Sequence, residues 1–346
     1  MKTRWVAGFI AGIGAAVGAA ASEPAAPRLA RFSFERSVMS LPVNLVLYAP
    51  DEAAANRAAE SAYRRVLQLN DILSDYDAES ELLQLVGTAG QGRAVPVSDE
   101  LWRVLVHAQA LAQRTEGAFD VTINPVVRLW RRARREKRLP APEKIEAARQ
   151  LVDYRNVHLD PAHKTVELVK KGMRLDLGGI AKGFICDEVL AHLRAQGIHQ
   201  AMIVAGGDIG LGDPPPGKAG WTIGVGVLEP QGAPTQYLCL ARCGVATSGD
   251  MFQFVEIGGK RYSHIVDPRT GMALVDHMTV TVVAADGMTA DGLSTAACVL
   301  GPHRGLRLVD STPGAAALIL RATPDGIETY RSARWNALPA AAPPKP

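Results

Sequence analysis

The chain has 346 residues, 47% apolar and 21% charged, with a formal net charge of +3. That balance excludes a disordered or collagen-like chain and gives no electrostatic case for a nucleic-acid partner. The length suits one large domain or two small ones, with ample material for a core.

The first 21 residues read as an export signal. Lys2 and Arg4 make a positive start, residues 5–17 an apolar stretch, and Ala19-Ala20-Ala21 a small-residue cleavage site before Ser22. The stretch is short for a bilayer span and is interrupted by Gly8, Gly12 and Gly14. No cysteine lies near the cleavage site, so no lipid anchor is evident and a periplasmic mature chain is expected. Residues 22–31 read as a linker.

Residues 32–48 read as a pair of strands by their alternation. A helix is expected over 51–73, with Ala55, Ala59, Ala62, Val66, Leu69 and Leu73 on one face. A second runs over 100–115, and Gly117 breaks it into a loop carrying Ala118, Phe119 and Asp120. The basic stretch 131–142 reads as a surface excursion, its arginines a solvated face before they are a surface for an acidic partner. Strands then dominate at 157–159, 165–168, 201–204, 222–227, 237–240, 262–265 and 279–284. Helices are expected at 182–196, 290–300 and 301–309, and last strands at 315–320 and 327–330. The Ala/Pro-rich residues 336–346 read as a disordered tail. This mixed order predicts an α+β fold, mixed or antiparallel sheets flanked by helices, in one domain over 32–335. The four cysteines lack zinc-site spacing. Cys186 and Cys298 read as buried small hydrophobes, and a Cys239–Cys243 disulfide stays open.

Residues 174–212 (RLDLGGIAKGFICDEVLAHLRAQGIHQAMIVAGGDIGLG) carry the densest chemistry. A Gly-Gly turn opens an amphipathic helix, and an apolar strand ends in Ala205-Gly206-Gly207-Asp208. Such junctions let backbone amides approach phosphate at a helix start. The spacing is not that of a Rossmann fingerprint. Asp291 and Thr295, four apart at a helix start, offer a hard-oxygen pair for Mg²⁺ or a helix cap. His264 lies in a polar loop with Ser263, Asp267, Arg269 and Thr270, where an imidazole is suited to general-base work.

Residues 116–130 (EGAFDVTINPVVRLW), 174–212, 246–271 (ATSGDMFQFVEIGGKRYSHIVDPRTG) and 290–301 (ADGLSTAACVLG), in this order and spacing, closely resemble the ApbE family, the FAD:protein FMN transferases. The resemblance implies an exported enzyme that moves FMN from FAD to a Thr or Ser hydroxyl of an acceptor flavoprotein and releases AMP. It implies Mg²⁺ held by Asp291, Thr295 and the carbonyl of Ala181, with His264 and Asp291 catalytic. The dinucleotide pocket would comprise Met39, Tyr76, Ala118, Phe119, Asp120, Gly178, Lys182, Asp208, Thr247, Ser248 and Ile265. The acceptor would belong to a membrane or periplasmic electron-transfer system. A non-catalytic FAD-binding protein and a Mg²⁺-dependent FAD pyrophosphatase are the alternatives. The family's usual Met-Gly-Thr is Met39-Ser40-Leu41 here.

Overall fold

The computed structural model describes residues 29–38 and 41–344, so the export signal, most of the linker and Met39 lie outside the described residues. Two long strands, β1 (Ala30–Val38) and β2 (Leu41–Ala49), pair antiparallel as expected. Asp51 then caps α1 (Glu52–Leu73), its carboxylate accepting from Ala54 N at 2.7 Å. The first half continues through α2 (Glu81–Val86), β3 (Val95–Pro96), α3 (Asp99–Arg114), α4 (Asn124–Glu136) and α5 (Pro142–Arg149). The hairpin β4 (Val157–Asp160) and β5 (Thr165–Leu168) leads to α6 (Ala181–Ala195).

The second half is β6 (Ala201–Ala205), β7 (Asp208–Leu211), β8 (Trp221–Val225), β9 (Gln236–Leu240) and β10 (Cys243–Gly249), then the short strands β11 (Phe254–Ile257), β12 (Lys260–Ser263), β13 (Val266–Asp267) and β14 (Met272–Ala273). It closes with β15 (Met278–Ala284), α7 (Gly287–Asp310), β16 (Ala316–Thr323) and β17 (Gly326–Arg331). An eight-stranded antiparallel sheet, ordered β1-β2-β6-β7-β10-β15-β16-β17, is the spine. The α+β expectation holds.

Both faces of the sheet are covered, and the period of two divides each strand between them. Leu45, Leu47, Ala246 and Val282 pack with the helices α1, α3, α6 and α7. Val46, Val245 and Val283 face the other way, onto the β8–β9 ribbon and Trp335. A third apolar cluster joins α4 and α5 to the β11–β14 hairpins, with Trp130 stacked on Tyr262 at 5.3 Å and donating from its indole to Gly271 O. α7 is kinked at Gly301 (φ +72°) before Pro302, where two helices were expected end to end.

Two expectations need correction. The tail, residues 336–346, is not disordered throughout: Cys239 N donates to Pro339 O while Ala341 N donates to Tyr237 O, so these residues lie along β9. An unpaired edge of the ribbon accounts for this. The basic stretch is not a plain surface excursion either. It continues α4, whose Trp130 and Ala133 are buried. All four cysteines are free thiols. Among the described residues no helix is long and apolar enough to cross a membrane.

Candidate active site

The site forms where the starts of α6 and α7 meet. Gly183 and Gly287 allow the approach: a Cβ on Gly183 would stand 2.0 Å from Gly287 O, closer than any side chain tolerates. Asp187 on α6 secures the start of α7, its carboxylate accepting from Gly287 N (2.7 Å) and Met288 N (2.9 Å). Asp286 caps the same helix through Thr289 N. Burial lifts Asp187 to about 7, against the pull of those two amides. Two convergent helix N-termini give the site a field that favours anions.

Asp291 and Asp208 are both almost fully buried here. Lys182 Nζ stands 2.9 Å from Asp208 Oδ2 and 3.4 Å from Asp291 Oδ2, and donates to Gly178 O at 3.0 Å. Gly183 N donates to the same Asp291 oxygen at 3.2 Å. Burial opposes the lysine's charge, but the two carboxylates prevail and hold its pKa above the ordinary range. Asp208 is raised to about 7, first by burial and then by Asp291, with Lys182 opposing. Although close, the ammonium is not aimed along an Asp208 lone pair, and Oδ2 has no well-directed hydrogen bond. Two buried carboxylates thus face one ammonium, and the proton that Asp208 retains near neutral pH eases their mutual repulsion.

Thr295, one turn after Asp291, lies against the glycine turn, its Oγ1 3.0 Å from where a Cβ on Gly179 would be. Ser248 Oγ sits 3.1 Å from Thr295 Oγ1 and 2.7 Å from Ser294 Oγ. Ala181 opens α6 immediately before Lys182. The buried carboxylates of Asp291 and Asp208 and the hydroxyls of Thr295 and Ser248 make a hard-oxygen donor set that fits Mg²⁺. Asp286 is the N-cap of α7, so the helix-cap alternative for Asp291 falls away.

His264 stands between β12 and β13 with its ring open to solvent. Its Nδ1 is 3.1 Å from Gln253 O. A carbonyl only accepts, so Nδ1 carries the proton and Nε2 keeps a lone pair. The surrounding protein, aided by the charges of Arg134 and Lys182, lowers the imidazole pKa to about 4 against the Gln253 hydrogen bond. Contact with water works against that shift, and the ring is neutral at pH 7 either way. The neighbouring carboxylates are committed. Asp250 takes Arg261, His277 and Met278 N. Asp267 takes both the backbone and the guanidinium of Arg269.

Other expected residues fall into place unequally. Ala118, Phe119 and Ile265 are buried in the main core. The Asp120 carboxylate is taken by Thr122 N and Oγ1 and by Tyr154 N, so it fastens its own loop. Thr247 and Ser248 lie on the central strand β10, Thr247 Oγ1 pairing with Thr281 Oγ1 at 2.9 Å. Tyr76 is 76% exposed and lies over the Arg131 guanidinium at 4.5 Å. Arg131 was not foreseen: it bridges Asp75 (2.7 Å) and Asp176 (2.9 Å), and Asp176 Oδ1 accepts from Gly178 N at 2.8 Å. A basic helix thus braces the glycine turn. The only sequence signal for this was an arginine on the buried side of α4, one residue after Trp130.

Paired helix starts, glycine turns and a buried acidic cluster define a diphosphate-binding, group-transfer type of site. The ApbE family profile matches residues 39–319, and the chain belongs to the ApbE family. It is 34% identical over 280 residues to a FAD:protein FMN transferase of Klebsiella pneumoniae (strain 342), covering 79% of this chain and 84% of the relative. It is 33% identical over 311 residues to one of Treponema pallidum (strain Nichols), covering 85% of each. Among solved structures, flavin transferase ApbE from Vibrio cholerae superposes with a TM-score of 0.78 at 28% identity, covering 90% of this chain and 100% of that one. The apo form of Pseudomonas stutzeri flavinyl transferase ApbE gives 0.79 at 28% identity, covering 91% and 98%.

Proposed function

We propose that this chain is a FAD:protein FMN transferase that moves the FMN moiety of FAD onto a Thr or Ser hydroxyl of an acceptor flavoprotein and releases AMP. The relatives named as such transferases, aligned over most of the chain, support the class. The observation that carries the chemistry is His264, a neutral imidazole with Nδ1 tied to Gln253 O and Nε2 uncommitted, in reach of the Lys182 charge.

The residues then have distinct tasks. The diphosphate of FAD lies over the starts of α6 and α7, where the glycine turn at Gly178 and Gly179 and the Lys182 ammonium meet its charge. Asp291, Thr295 and the Ala181 carbonyl would hold Mg²⁺, which when bound would neutralise charge on the phosphoryl oxygens. Tyr76, exposed at the rim, offers a face for the flavin ring. The acceptor hydroxyl oxygen attacks the FMN phosphorus, and its proton passes to His264 Nε2. The bond from that phosphorus to the bridging oxygen breaks, and the oxygen leaves on AMP. Export to the periplasm, and an acceptor in an electron-transfer system there or in the membrane, complete the proposal.

In-gel flavin fluorescence of membrane and periplasmic proteins, from cells with and without this gene, tests the function. A flavin-labelled band that disappears with the gene and returns with the wild-type copy supports it. A band pattern indifferent to the gene overturns it.

A further inference from the structure

Lys182 stands where a divalent cation is needed and is itself a cation. Its ammonium approaches the same Asp291 oxygen that takes Gly183 N, and its closer partner is Asp208, at 2.9 Å against 3.4 Å. A divalent ion on Asp291 would face that ammonium across a few ångströms, in a site walled by buried groups where like charges repel strongly. The lysine has somewhere to go. Its four-carbon stem is flexible and its three donors rotate, Asp208 provides an anchor away from Asp291, and its hydrogen bond to Gly178 O already directs it to the glycine turn. A diphosphate over that turn would draw the ammonium off Asp291 and leave the carboxylate to the metal.

We infer that Lys182 couples the two ligands: it competes with a divalent cation for Asp291 until the diphosphate of FAD engages it, so metal and dinucleotide bind as a pair. This rests on the metal reading given under the proposed function. By linkage, the lysine must weaken metal binding to the free protein and raise the mutual enhancement between metal and diphosphate. Direct ligation of the ion by phosphate oxygens would also produce enhancement, but it would leave metal affinity in the free protein independent of Lys182.

Mn²⁺ binding followed by the free-ion EPR signal separates these, with ADP as the diphosphate probe. The wild type should bind Mn²⁺ about tenfold or more tightly with ADP than without. Lys182→Met should bind Mn²⁺ alone about tenfold more tightly than the wild type alone, and gain little from ADP. Lys182→Gln repeats this arm if the methionine variant does not fold. A neutral variant that binds Mn²⁺ alone no more tightly than the wild type overturns the inference. So does a wild type that binds Mn²⁺ equally with and without ADP, a result needing no variant. Asp291→Asn is the separate control on the metal reading: retained Mn²⁺ affinity in the presence of ADP would overturn that reading and this inference together. Its loss, beside an unchanged Lys182→Met, would overturn the coupling alone.

Discussion

His264 donates from Nδ1 to the carbonyl of Gln253, 3.1 Å away, and the same carbonyl accepts from the His264 backbone N–H at 2.9 Å. One peptide oxygen therefore fixes both the tautomer and the orientation of the ring. Nε2 is left with its lone pair, and Asp250 and Asp267 are already engaged, which is why the proposed mechanism gives the acceptor's proton to His264.

His264→Ala should lower the transfer rate by about 10²–10⁴-fold and leave FAD affinity nearly unchanged. A dissociation constant rising in step with the rate loss would show that the ring only shapes the pocket.

The pH profile follows from the direction of the His264 shift. A lowered pKa means the ring releases its proton at lower pH, so the base form is present above the folded-state value. The acid limb of kcat/KM should therefore lie below the position of an ordinary histidine, which is about 6.5, with solvent contact at the ring limiting how far below. Far-UV circular dichroism at each pH separates this limb from acid unfolding. An acid limb centred near 6.5 that disappears in His264→Ala would show an unshifted base.

Asp291→Ala should abolish AMP release, because it removes a carboxylate from the proposed ion and leaves Lys182 with Asp208 alone. Thr295→Ala should be milder, since water replaces a neutral hydroxyl. Full turnover of the Asp291 variant at limiting Mg²⁺ would contradict the assignment.

Gly183→Ala tests the helix junction. The added methyl has no room against Gly287 O, so a loss of about 1–3 kcal/mol is expected, read as a lower denaturation midpoint. An unchanged midpoint would show that the two helix starts shift apart without cost.

Arg131→Met should leave Asp75 and Asp176 without their shared counter-charge, with only Asn124 and Gly178 N as partners, costing about 1–3 kcal/mol and loosening the Gly178 turn. Denaturation and FAD titration should both register it. A stable variant with unchanged FAD affinity would reduce Arg131 to a surface pair.

The contrast between Arg131 and His264 shows what was legible in the sequence. Helices such as α1 and α3 declare themselves by spacing, and strands such as β15 by apolar runs, because local periodicity records which face is buried. Asp291, Thr295, Lys182 and His264 stood out because their motifs are local. Arg131 pairs with residues 56 and 45 positions away. No local pattern carries such a pairing, so its helix read as a solvated surface. β10 was missed for a related reason: Gly244, Ala246 and Gly249 suggest turns, yet small residues are needed there, since a Cβ on Gly244 would meet Gly287 at 2.3 Å. The tail was misread because composition cannot show that β9 has an edge to receive it.

The most direct test is a stoichiometry. Purified protein, FAD, Mg²⁺ and an acceptor flavoprotein are combined, and AMP and covalently bound flavin are measured together. The account predicts one AMP for each flavin fixed to a Thr or Ser of the acceptor, both lost in His264→Ala and Asp291→Ala. AMP formed with free FMN and no protein-bound flavin would contradict it and assign the site to hydrolysis.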